Sequence, residues 1–166
     1  MSATPDRVVQ QTAVFRMYNT ALGFDFGHAR IGVAIGDAIT RSARPLRVVP
    51  AQQQRPDWEA IAQLIAQWQP DCLVVGLPSH ADGTASPITQ SALRFSRQLH
   101  GRFRLPVATI DERLSSWEAE QRQSQARHAG GRRVKAAGLD ATAAAIILES
   151  WFNHQRSLAS CATLNF

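Results

Sequence analysis

Several things are scarce in this 166-residue chain. Lys135 is the only lysine among 18 basic residues; all the others are arginine. The two cysteines, Cys72 and Cys161, lie too far apart for a metal or redox spacing. Cys72 sits in an apolar run and reads as a buried thiol, which points to a reducing, cytoplasmic setting. The histidines show no ligand spacing, and internal repeats and low-complexity tracts are absent. No apolar run is long enough to span a membrane as a helix, so no membrane partner is expected. Residues 1–19 lack the apolar core of a signal peptide and read as a loose extension; Met17 competes with Met1 as the start. Acid is short as well. Asp and Glu number 13, net charge is +5, and no acidic residue falls between Glu120 and Asp140. Arginine suits bidentate contacts to phosphate, so a polyanion, first of all nucleic acid, is the expected partner. A GC-rich genome would also favour arginine codons, and charge alone does not decide.

What is present is organised around Ala21–Gly36. It reads as two strands joined by a turn at Gly27–Arg30. Alternation puts Leu22, Phe24 and Phe26 on one face of the first strand and Gly23, Asp25 and Gly27 on the other. In the second strand Ile31, Val33 and Ile35 oppose Gly32, Ala34 and Gly36. Each strand has a bulky face and a small one, and the small one carries Asp25. Glycine inside a strand marks close approach by a backbone or a ligand. An ordinary exposed Asp in a glycine-rich hairpin is the plain alternative.

A third strand is expected over Ala43–Val49, with Pro45 restricting it to a start or an edge. A helix over Asp57–Trp68 follows, buried through Ile61, Leu64, Ile65 and Trp68. Cys72–Leu77 is continuously apolar, as in a strand covered on both faces. The loop Pro78–Thr84 leaves its C-terminal end, where ligands bind in open α/β sheets. Then come a helix over Pro87–His100, with Ile88, Leu93 or Ala92, Phe95 and Leu99 inward, and a strand over Pro106–Ile110. Ser115 or Ser116 would cap a further helix, with Glu118 completing a capping box. Residues 122–135, with Gly130-Gly131, read as a mobile basic loop. An alanine-rich helix is expected over Asp140–Phe152. The expected organisation is one domain over 20–153 and a loose tail over 154–166.

Three acids stand out: Asp25 among glycines in a strand, Glu112 just past an apolar strand, and Asp140 opening the last helix. Acids in apolar surroundings need a cation partner. If they converge, their oxygens suit Mg2+ or Mn2+, which can activate water and stabilise the leaving oxygen of a phosphodiester. Plainer roles exist. Asp140 could be an N-cap, Glu112 could pair with Arg113 or Arg41, and Asp111 could replace Glu112, since the register is open. His28 and His80 lie in loops where they could touch substrate.

Gly23-Phe-Asp-Phe-Gly27 with Arg30-Ile-Gly-Val-Ala34, Val75-Gly-Leu-Pro78 with Asp82-Gly83, Asp111-Glu-Arg-Leu-Ser115, and Asp140 before Ala143-Ala-Ala-Ile-Ile-Leu148 occur in one order. Together they resemble the YqgF family, bacterial proteins similar to the RuvC Holliday junction resolvases. The resemblance covers roughly Ala21–Phe152. It implies a ribonuclease H-like α/β fold: a mixed five-stranded sheet, three antiparallel strands then parallel ones, with helices on both faces. It implies a nuclease of pre-16S rRNA 5′-end maturation, and an older description is Holliday junction resolvase. Carried over by motif, the catalytic and metal-binding acids would be Asp25, Glu112 and Asp140. Arg30, Arg113, Arg122, Arg127, Arg132, Arg133 and Lys135 would hold nucleic acid. The family often has Lys-Gly shortly before the last Asp; here the run is Lys135-Ala-Ala-Gly-Leu-Asp140, and the role of Lys135 is open.

The expected activity is metal-dependent endonucleolytic cleavage of pre-16S rRNA or branched DNA, by a monomer or homodimer, with ribosomal particles as a further partner. An actin-like or sugar-kinase ATPase shares the hairpin type but needs a second lobe. A non-catalytic nucleic-acid or ribosome-associated module is the alternative of another class.

Overall fold

The computed structural model describes residues 19–53, 55–78, 86–112 and 136–163. They form a sheet of six strands, one more than expected. β1 (Thr20–Phe26), β2 (Arg30–Asp37) and β3 (Ser42–Gln52) are antiparallel neighbours, and β4 (Arg55–Pro56) adds to the outer edge of β3. β5 (Cys72–Leu77) runs parallel to β1, and β6 (Val107–Asp111) runs parallel to β5, giving the order β4-β3-β2-β1-β5-β6. Two residues carry no periodicity, which is why β4 escapes a sequence reading.

Pro45 behaves as an edge proline should. β4 covers β3 only at Ala51 and Gln52, so among the described residues no strand lies on the outer side of Pro45. Its inner side meets β2 at a register shift between Val33 and Ala34, where Leu46 is the extra residue.

Helices cover both faces. α1 (Trp58–Trp68) starts at Asp57, whose carboxylate accepts the Ala60 N–H at 3.1 Å, and ends on Gln69 in the left-handed region. α2 (Pro87–Phe103) starts at Ser86, which forms a capping box with Thr89. Ala92 rather than Leu93 is its buried residue at that turn. Both helices pack on Leu22, Phe24, Phe26, Ile31 and Val33, the bulky face of the hairpin. Phe95 is the centre of this layer, edge-on to Phe24 at 5.6 Å and stacked on Trp58 at 5.6 Å.

α3 (Ala136–Thr163) takes the other face. Ala144, Ile147, Leu148, Trp151 and Phe152 pack against Ala21, Ala34, Cys72 and Val74. The helix is longer than the expected Asp140–Phe152 at both ends, and residues 154–163 are helical rather than a loose tail. Alanine-rich sequence at both ends propagates a helix once packing has nucleated its middle. Asp140 therefore lies inside the helix and is not its N-cap. Cys72 is buried as expected, and burial pushes its thiol up to about 12, with Asp71 adding to the effect.

Candidate active site

Asp25 pairs with Gly32 of β2 and with Gly76 of β5. Paired residues share a face, so a glycine–aspartate–glycine row crosses three strands on the side of α3. The two glycines create the room that the other acids use. A Cβ on Gly32 would run into the backbone of Asp140, with the Ala141 nitrogen 2.8 Å away. A Cβ on Gly76 would lie 2.7 Å from Glu112 Oε1 and 2.5 Å from Ile147 Cδ1. One glycine lets the start of α3 down onto the sheet; the other lets the Glu112 carboxylate reach across β5 to Asp25.

The register also separates Glu112 from Asp111. Gly76 pairs with Ile110, and Leu77 with Asp111. Ile110 thus shares the face of Asp25, and Asp111 lies on the opposite one. Glu112, one residue past β6, comes back to the Asp25 side and hydrogen-bonds it.

This geometry disfavours charge. Burial, the hydrogen bond with Glu112 and the charges of Glu112 and Asp140 push the Asp25 carboxyl up to about 9. Glu112 is also raised, chiefly by burial and further by Asp111, while its hydrogen bond with Asp25 works against the shift. Both carboxyls are raised, so the hydrogen-bonded pair is held together by a shared proton and titrates as a unit. Asp140 meets Arg30 instead, with Arg30 Nε 3.3 Å from Asp140 Oδ2 and the Arg30 side chain about half exposed.

The donor set suits a hard divalent cation, since it consists of carboxylate oxygens only. Among the described residues no three acidic, histidine or cysteine side chains already surround one point at coordination distance. Asp25 and Glu112 are together; Asp140 is engaged by Arg30.

Of the residues expected at the site, Asp25, Glu112, Asp140 and Arg30 are brought to one end of the sheet. Arg113, Arg122, Arg127, Arg132, Arg133 and Lys135 lie outside the described residues, as do Ser115, Ser116, His80 and the basic loop. His28 is exposed in the β1–β2 turn with its ring against Phe26. Sequence reasoning missed the Arg30–Asp140 pair and the part played by Gly76. The signal for Gly76 was present: it is the single glycine in an otherwise bulky strand.

The model of a family described as "RuvX: Holliday junction resolvase" matches residues 19–154. A protein of Azotobacter vinelandii is 52% identical over 131 residues, covering 78% of this chain and 90% of its own. One from Pectobacterium carotovorum is 48% identical over 136 residues, covering 82% of this chain and 96% of its own. Both carry the name "Putative pre-16S rRNA nuclease". Among solved structures, RuvC of Thermus thermophilus in complex with a Holliday junction substrate aligns with a TM-score of 0.53 at 16% identity, over 83% of this chain and 96% of that one. The yeast mitochondrial Holliday junction resolvase aligns with a TM-score of 0.52 at 12% identity, over 96% and 89%. At such identities the likeness is one of fold, and the ribonuclease H-like expectation holds, with six strands in place of five.

Proposed function

The chain belongs to the RuvX family, the YqgF family of the sequence motifs, and on that premise we propose that it is a metal-dependent endonuclease of structured RNA. Its substrate would be the 5′ extension of pre-16S rRNA, as the names of its relatives suggest. The carrying observation is the buried carboxyl pair, with Asp25 held at about 9 beside Glu112 and near Asp140. A site that expels negative charge until a cation arrives fits metal-dependent cleavage better than a purely structural role.

Asp25, Glu112 and Asp140 would hold a Mg2+ or Mn2+ ion. Such an ion supplies an activated water and stabilises the leaving oxygen. The chain's own residues prepare this. Gly32 and Gly76 fix the approach of the acids. To ligate a cation, the Asp25–Glu112 pair would have to release its proton to solvent. Arg30, half exposed beside Asp140, would offer its guanidinium to a substrate phosphate.

The test is cleavage of a labelled 5′-extended 16S precursor and of a four-way DNA junction, side by side, in Mn2+ or in EDTA. Cleavage of the RNA that needs metal and is lost in Asp25→Asn supports the proposal. Cleavage of the junction alone would replace it with the resolvase reading that the family's description favours. Equal behaviour of wild type and Asp25→Asn on both substrates refutes the nuclease, and a binding module takes its place.

A further inference from the structure

A second feature lies on the opposite face of the sheet from the acids. Between the end of β4, α1 and α2 there is a cavity of about 520 Å3. Its floor is aromatic, formed by Phe26, Trp58 and Phe95. Its rim carries Arg55, Arg94 and Arg102, with the amides of Gln53 and Gln98 between them. Arg102 is seated over the Trp58 ring, 4.3 Å from its centre, so one guanidinium is held in position from below. No ion pair involves any of the three arginines among the described residues. A second cavity of about 620 Å3 continues from the first and shares Gln53, Arg55 and Pro56 with it. Among the described residues the one acid on either rim is Asp57, which is engaged as the cap of α1.

Three unpaired guanidinium groups around one recess repel each other, and a fold that keeps them there is arranged for an anion. The two cavities make a track rather than a single-ion pocket, and this matches a chain of phosphates. At about 520 and 620 Å3 the two cavities are on the scale of single nucleotides rather than of a duplex. Side-chain amides suit phosphate and sugar oxygens. Phe26 lines the groove, and Asp25, the preceding residue of β1, faces the other side of the sheet.

We infer that this groove holds a single strand of RNA by its phosphates, at a distance from the three acids and on the far side of the sheet. For the kind of ligand this rests on the nucleic-acid reading above; the groove itself is argued from its own residues. Such a site would fix how far from a strand's anchored end the cut falls.

The test is binding of a labelled single-stranded RNA oligonucleotide across a salt series, with every protein carrying Asp25→Asn so that nothing is cut. Each phosphate contact to a single strand contributes about 0.7 to the slope of log affinity against log salt. Arg55→Gln with Arg94→Gln, which leaves Arg102 on Trp58, should lower the slope by about 1.4. At 0.1 M salt this is a loss of about 25-fold, vanishing toward 1 M. Adding Arg102→Gln should lower it further, and Arg55→Lys with Arg94→Lys should keep the parent's slope. Arg47→Gln with Arg97→Gln removes the same charge from outside the groove and should leave the slope near that of the parent. A parent-like slope in the groove variant overturns the inference and leaves the groove to an acidic protein segment. An equal loss in both pairs also overturns it, since net charge would then account for the binding. Cleavage by the chain with Asp25 intact is read separately. A protein that cuts nothing but loses RNA at the groove refutes the nuclease and keeps the groove.

Discussion

Replacing Asp25 by Asn should stabilise the metal-free protein at neutral pH and flatten its pH profile. The folded carboxyl sits at about 9, and in the unfolded chain it returns to about 3.9. Between those values the folded state holds a proton that the unfolded state has lost. Stability from this group is therefore fully present below about pH 4 and is lost as pH rises through 9. One such proton changes stability by up to about 1.4 kcal/mol per pH unit. From pH 6 to 8 the loss approaches about 2–3 kcal/mol, a large part of the 5–15 kcal/mol typical of a domain. Asparagine can still hydrogen-bond Glu112 and has no proton to give up, so the Asp25 component disappears. Urea unfolding in EDTA at pH 6, 7 and 8, followed by tryptophan fluorescence, measures it. The wild type should weaken steadily; the variant should vary less and exceed it at pH 8. Mg2+ or Mn2+ should raise the wild type at pH 8 and leave the variant unmoved. Parallel profiles in EDTA would mean that Asp25 titrates like an exposed carboxylate, and the account of the site would fail with it.

Three other expectations concern the same architecture. Gly76→Ala sets a methyl against the flexible ends of Glu112 and Ile147; it should cost about 1–2 kcal/mol in stability while abolishing the response to divalent cation, read from the pH 8 unfolding midpoint. Gly32→Ala meets the backbone of Asp140 and Ala141, which cannot step aside alone; its thermal midpoint should fall further than that of Gly76→Ala, by about 3 kcal/mol or more in free energy. The Cys72 thiol is buried and raised to about 12; in a Cys161→Ser background a thiol reagent at pH 8 should label Cys72 only as fast as the protein unfolds, and immediate labelling of the native protein would contradict the packing of β5 under α3.

The sequence by itself determined the layers. The hairpin's two unlike faces, the covered strand Cys72–Leu77 and the helical spacing of Ile61, Leu64, Phe95 and Leu99 all survive in the structure, because alternation and helical period are local consequences of chain geometry. It also singled out Asp25, since a carboxylate between small residues in an apolar strand needs a reason to be there. Helix ends were less legible. Alanine-rich flanks extend α3 beyond Asp140 and Phe152, and nothing in a local pattern says where packing stops supporting a helix. Choosing Glu112 over Asp111 required the parallel register of β5 and β6, because a shift of one residue exchanges the faces. The two-residue β4, the seat of Arg30 on Asp140, and the meeting of Arg55, Arg94 and Arg102 around one groove are tertiary facts. They join residues from separate elements, and only the folded sheet brings those elements together.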